Sequence, residues 1–495
     1  MILIKSAQVI DGTGKPPFKA DILIKGDKIA AIGNFPRRKA DIIIDGLGFS
    51  VMPGFIDVNA NSDHYLSLFN NPLQKDYLLQ GVTTIIGGHC GSSLAPLIEG
   101  TLKSIRKWGD FTKINVDWHN VSEFKKVLKK LKIGVNFGTF AGYFTIRRDI
   151  AGEEIGDLTD SELDIFKNTL KKALKDGALG LSTGLGYVLS KWTPYSEIKK
   201  ILKIVADQKK IYATHLRNEK KNIVASMEET LKISEETGVP AIISHLRPII
   251  GYEKYFKEAF SLMESRLNKV NIYFDASPFD FSVIPVYALL PDWARQGNLE
   301  IMLDTIREKN NRERILKELT GLKKNFKNMV IAKAKDNNAV VGRTLGEFSD
   351  GRGMDICEGL LFLMEITNMR ALIVEKNINA DILSEIIFHP RALIGSNSAS
   401  FSDSSDILKL ENSTNTFSRY FELAAAKNIP IEEAVRRITS MPAKILNIFK
   451  RGAVREGWFA DLAMMKDGKI INVFVNGKMA VKDGKEINLL SGTPI

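Results

Sequence analysis

Cysteine is nearly missing from this chain: there are two in 495 residues, Cys90 and Cys357, far apart and in unlike surroundings. That excludes a disulfide framework and points to a reducing cytoplasm. Histidine is scarce as well, six in all, so chemistry built on imidazoles must draw on few positions. No apolar run approaches the roughly 20 residues that a membrane helix needs. The opening MILIKSAQVIDGTG lacks the charged start and long apolar core of a signal peptide. Tandem repeats and low-complexity tracts are also lacking. The formal charge of +11 comes mostly from lysines spread along helical faces, as in FKKVLKKLK at 124–132. With no aromatics interleaved on one basic stripe, this is not a nucleic-acid surface; its effect is a mild attraction for anionic substrates. The chain therefore reads as cytosolic, with neither a nucleic acid nor a membrane as partner, and its oligomeric state is not written in the sequence.

The first fifty residues alternate polar and apolar with a period of two, punctuated by Gly and Asp, and so does the C-terminus, where Asn476-Gly477 is a strong hairpin turn. Either end alone is too short for a stable core. Residues 1–52 and 450–495 are thus expected to form one small β-sandwich domain. Between them, over 53–449, apolar strand-like runs alternate with amphipathic helical stretches. Eight runs qualify: GFIDVN, VTTIIGG, VNFGTFAGY, ALGLSTGL, KIYATHL, AIISHL, VNIYFDASP and RALIGSNS. Among the helical stretches, NIVASMEETLKISEETG ends on a plausible C-cap, Gly238. Eight such repeats predict a (β/α)8, TIM-like barrel. The stretch of about 280–380 is too long for one crossover and is expected to be an inserted lid or subdomain before the last strand.

In a barrel the chemistry collects at the C-terminal ends of the strands. His215 ends the fifth candidate strand (YATHLRNE), His245 ends the sixth (IISHLRP), and Cys90 follows the second (TTIIGGHCGSSLAP). A thiolate and two neutral imidazoles suit Zn²⁺, and three protein ligands leave a position for water. Each residue alone has a plainer reading as a buried, hydrogen-bonded histidine or a small apolar filler. Cys357, His119 and His389 receive only that reading.

Taken in order, VMPGFIDV, QGVTTIIGGHCGSSLAP, GALGLSTGLGY, YATHLRNE, ISHLRP, AVRRITSMPAKILNI, RGAVREGWFADLAMM and VFVNGK resemble the motifs of the D-aminoacylase (N-acyl-D-amino-acid deacylase) branch of the amidohydrolase superfamily. The resemblance runs nearly end to end. It implies a zinc-dependent hydrolase that cleaves the amide of an N-acyl-D-amino acid to a carboxylate and a free D-amino acid. By position, Cys90, His215 and His245 match the ligands of the tightly held zinc, so one Zn²⁺ per chain is expected. A second, weaker metal position would draw on a His-x-His pair, where this chain has Asn59 and Asn61. The general base would be an Asp where it has Asn397, and Asn412 likewise stands where a basic group is expected. Arg247 replaces a Lys, which keeps the charge and alters the hydrogen-bond geometry.

An amide neither takes up a proton near neutral pH nor replaces an imidazole on zinc. The second metal position is therefore expected to be empty, and Asn397 is not expected to act as a base. Asp403 is the substitute from the following loop, with Asp406, Asp63 and His64 as further options. Arg217, Arg247, Ser182 and Ser92 are candidate substrate contacts; Arg217 and Glu219 also fit a place behind the ligands, and fit an internal ion pair equally well. Two rivals remain: a catalytically impaired relative kept as a binding or scaffold protein, and a cyclic-amide hydrolase of dihydroorotase or hydantoinase type. The Cys90 motif counts against the latter.

Overall fold

The computed structural model describes residues 1–495 apart from 37, 101, 106–107, 110–113, 153–155, 188–191, 323–324 and 403–405. The eight apolar runs of the middle segment form the staves of a parallel barrel. The first three, Phe55–Asp57, Val82–Gly87 and Asn136–Thr139, pair in that order. The other sheet runs from Ala141–Gly142 through Gly180–Gly184, Ile211–His215, Ala241–Ile243 and Ile272–Ala276 to Ala392–Ile394. The run VNFGTFAGY, read as one strand, is thus two short ones that break at Phe140, the first facing the second stave and the other facing the fourth. The remaining seam closes where Asn397 N donates to Asn59 O at 2.8 Å and Ala60 bridges Ser398. Ile56, Val58, Ile86, Phe140, Ile211, Ala213, Ile242 and Leu393 fill the interior. A larger core lies between the barrel and its helices. Strands buried on both faces are continuous in apolar character, which is why they were readable.

Both termini share one nine-stranded sheet, in which Leu462–Lys466 pairs antiparallel with Ser50–Pro53, which in turn lies parallel to Ile2–Val9. The expected sandwich is a single sheet curling on itself, since Ile29 N donates to Trp458 O and Ala460 N to Asp27 O, both at 2.9 Å. Ile4, Val9, Ile22, Ile24, Leu462 and Phe474 lie in its core.

The stretch before the last stave carries a three-stranded antiparallel sheet, Phe281–Pro285, Ala371–Lys376 and Val330–Ala334 in spatial order, with helices and a core of its own. It lies against the C-terminal rim of the barrel. Lys333 Nζ donates to Trp108 O at 2.8 Å, Leu408 N to Ala332 O at 2.7 Å, and Ile250 N to Asn377 O at 2.8 Å. No helix among the described residues is long and apolar enough to cross a membrane.

Candidate metal centre

Three stave ends meet on this rim. Ile211 and Ala213 point into the barrel, and the period of two carries His215 onto the same face at the strand's end. Cys90 and His245 stand just past Val82–Gly87 and Ala241–Ile243. Cys90 Sγ is 4.0 Å from His215 Nδ1 and 3.4 Å from His245 Nε2, and the three ligand atoms lie within 4.8 Å of one another. A tetrahedral zinc ion with the usual bond lengths holds a sulfur and a nitrogen about 3.5 Å apart. The donor set and its spacing both fit one such ion, with a fourth corner left over.

The local backbone is bent to make this possible. Cys90 has φ 54° and His245 φ 41°, left-handed values that non-glycine residues seldom adopt and that cluster at functional sites. Ser182 Oγ accepts from Gly91 N at 3.1 Å and donates to Gly88 O, clasping the Cys90 loop on both sides. Glycine is required opposite: a Cβ on Gly184 would lie 2.2 Å from Cys90 O, and one on Gly186 would lie 2.7 Å from His215 Nε2.

Behind the ligands sits Glu219, whose double duty the sequence did not show. One carboxylate oxygen is 3.4 Å from His215 Nε2 and the other 3.4 Å from His245 Nδ1. These are the ring nitrogens turned away from Cys90, so one carboxylate makes ion-pair contacts with both rings from behind, without a hydrogen bond to His245 Nδ1. Arg247 Nη2 binds the same group at 2.6 Å. Burial by itself would raise the Glu219 carboxyl, but Arg247 and the imidazoles outweigh it and hold the group well below the ordinary range. For His245, burial and the His215 ring push the pKa down, yet Cys90 and Glu219 prevail and leave it raised. Tyr187 lies edge-on to His215 with centroids 5.0 Å apart, Trp108 edge-on to Tyr187, and His64 stacked on Trp108, making an aromatic wall.

The amides at the expected second metal position bond to protein. Asn61 Nδ2 donates to Asn397 Oδ1 at 3.0 Å, and Asn59 Nδ2 to Asp275 Oδ1 at 3.0 Å. Asp275 Oδ1 also accepts from His245 N at 2.9 Å, and burial raises its pKa. Asn412 Nδ2 donates to Ser396 O at 3.2 Å.

Two of the candidate substrate contacts bond to backbone groups. Ser182 is fully buried and spent on the Cys90 loop, while Ser92 Oγ donates to Ser104 O at 3.3 Å. Arg217 pairs with Glu229 at 2.7 Å and also meets Thr193 O. Arg247 is paired with Glu219, yet its Nε has no acceptor among the described residues. Asp403 lies outside the described residues. Asp406 faces Lys333 of the inserted subdomain at 3.9 Å. Asp63 Oδ2 accepts from Gly88 N at 2.6 Å, and His64 Nε2 donates to Ser92 O at 3.0 Å. Both of the latter are tied to the loops beside Cys90.

Residues 369–480 match the family model described as "Amidohydrolase family". A D-aminoacylase of Alcaligenes xylosoxydans xylosoxydans is 31% identical over 284 residues, spanning 56% of this chain and 57% of that protein, little more than half its length. An N-acyl-D-aspartate deacylase of the same organism is 25% identical over 94% of this chain and 86% of its own. The N-acyl-D-glutamate deacylase of Bordetella bronchiseptica, solved with zinc and a phosphonate inhibitor, superposes with a TM-score of 0.80 at 23% identity, covering 100% of this chain and 98% of that one. At that identity the likeness shows a shared fold.

Proposed function

We propose, from the premise that the chain belongs to the N-acyl-D-amino-acid deacylase family of amidohydrolases, that it is a zinc-dependent hydrolase in the cytoplasm. It cleaves the amide of an N-acyl-D-amino acid to a carboxylate and a D-amino acid. The observation that carries this reading is the thiol of Cys90 set against two imidazoles whose far nitrogens share the Glu219 carboxylate.

Cys90, His215 and His245 would hold one zinc ion, which when bound supplies Lewis acidity to the scissile carbonyl and to the attacking water. Glu219 faces both rings from behind, leaving Nδ1 of His215 and Nε2 of His245 toward that ion. Arg247 keeps N–H groups beyond those given to Glu219 and Ser282, and these meet the carboxylate of the substrate. Asn397 cannot take a proton from water, so its position contributes no general base. The bonded amides of Asn59, Asn61 and Asn397 support a single ion rather than two.

The test is a panel of N-acyl-D-amino acids, their L enantiomers and a cyclic amide, each incubated with zinc-loaded protein and assayed for free amine. Amine release from the D series, lost in Cys90→Ala, is the expected result. The same Asn residues favour one rival, a silent relative. Stoichiometric zinc with no amine released from any member would decide for it.

A further inference from the structure

The inserted subdomain reaches the metal ligands through one unbroken run of polar contacts. From Glu219, which faces both imidazoles, the path passes to Arg247 Nη2 at 2.6 Å. Arg247 Nη1 then donates to Ser282 Oγ at 2.9 Å, and Ser282 Oγ donates to Asn377 Oδ1 at 2.8 Å. Ser282 lies on Phe281–Pro285, the strand by which the chain enters the subdomain sheet. Asn377 follows Ala371–Lys376, the strand by which it leaves. These two strands pair with each other, Ser282 opposite Glu375. Entry and exit are thus tied at the Ser282 hydroxyl, which also anchors the guanidinium that braces the ligand-orienting carboxylate. Arg247, Glu219 and Ser282 are all largely buried, so the contacts are not diluted by solvent.

We infer that Ser282 and Arg247 are positioning residues that couple the seating of the inserted subdomain to the affinity of the Cys90–His215–His245 site. This rests on the reading that those three residues hold zinc. Glu219 can fix both rings only while its own carboxylate is fixed. Its guanidinium partner, Arg247, is a planar fork whose other branch is anchored in the subdomain. When the subdomain lifts, Arg247 loses that anchor, Glu219 gains freedom, and the imidazoles lose their common orientation. Losing a partner that orients a metal ligand typically costs about 10–100-fold in metal affinity. Linkage makes the effect reciprocal: zinc must stabilise the seated subdomain by the factor by which seating tightens zinc.

Two readouts on the full chain test this. Zinc affinity is measured by competition with a chromophoric chelator for wild type, Ser282→Ala, Arg247→Lys and the double variant. Thr305→Ala, on the subdomain's outer helix and away from the chain of contacts, serves as control. Amide hydrogen exchange in 281–285 and 371–376 is followed with and without zinc. We expect Ser282→Ala and Arg247→Lys each to weaken zinc by about tenfold, with the double variant little worse than either. The control should match wild type, and zinc should slow subdomain exchange in wild type far more than in Ser282→Ala. A purely structural role for Ser282 would lower subdomain protection while leaving zinc affinity alone. Wild-type zinc affinity in Ser282→Ala, or strictly additive losses in the double variant, overturns the coupling. Wild type that binds no zinc overturns the ligand reading beneath it.

Discussion

Single residues decide how the three candidate ligands are held. Glu219→Gln keeps the shape but removes the charge that two imidazoles and Arg247 share, and it should weaken zinc by about 10–100-fold in chelator competition. Asp57 makes a different prediction. It is buried at the end of the first stave, where burial raises its pKa to about 7 despite hydrogen bonds from Ser396 and Asn59 N, while Asp275 nearby adds to the rise. The folded protein therefore binds a proton there that the unfolded chain, with an ordinary carboxylate near 4, has already released. Stability from this group is complete below about pH 4 and is lost as pH rises through about 7, at about 1.4 kcal/mol per unit. Asp57→Asn should flatten denaturant stability over that window; an unchanged slope between pH 4 and 7 would refute the assignment. The three candidate ligands were legible in the sequence because rare residue types recurred at stave ends. Glu219 is less so: it and Arg217 each fit either a place behind the ligands or an internal ion pair, and only the fold turns Glu219 toward the ligands and pairs Arg217 with Glu229. Ser182 and Ser92 have two readings in the sequence, substrate contact or turn, because a hydroxyl near a ligand looks the same whether it faces a substrate or braces a loop; in the structure both bond to backbone carbonyls.

At the scale of elements, the tight points around the Cys90 loop are backbone approaches. Gly184→Ala would drive a methyl group into the Cys90 carbonyl, so the loop must move. We expect at least a tenfold loss of zinc affinity, whereas Gly238→Ala, at the C-cap of Ile223–Thr237 with open space around it, should cost stability through its φ of 71° and leave zinc alone. Comparing melting temperature with zinc affinity in the two variants separates these effects. The staves were readable from their continuous apolar character, and the helices from their period and caps. DSELDIFKNTLKKALKDG forms Asp160–Lys175 behind a Thr159–Glu162 capping box. The break at Phe140 was not readable, because both halves of the run are buried and apolar, and only their partners differ.

At the scale of the whole molecule, the two ends of the chain meet in one sheet, as the hydrophobic pattern suggested. The last residues do more than the pattern could say. Phe137 N donates to Thr493 O and Ile495 N to Phe137 O, at 3.0 and 2.9 Å, while Thr493 N reaches Asn136 Oδ1 at 3.1 Å. No sequence period announces such a clasp of the third stave. Removing residues 491–495 would strip these bonds while Asn136 Oδ1 keeps the Asn476 Nδ2 donor, a loss of about 0.5–1.5 kcal/mol per bond, read as a lower denaturant midpoint with zinc affinity preserved. The proposed function requires one divalent ion held by one sulfur and two ring nitrogens. The most direct measurement is the zinc count per chain, by elemental analysis of protein dialysed against trace zinc, for wild type and Cys90→Ala. One ion per chain in wild type and none in the variant is the predicted result; no zinc in wild type, or a full ion retained without the thiol, would contradict it.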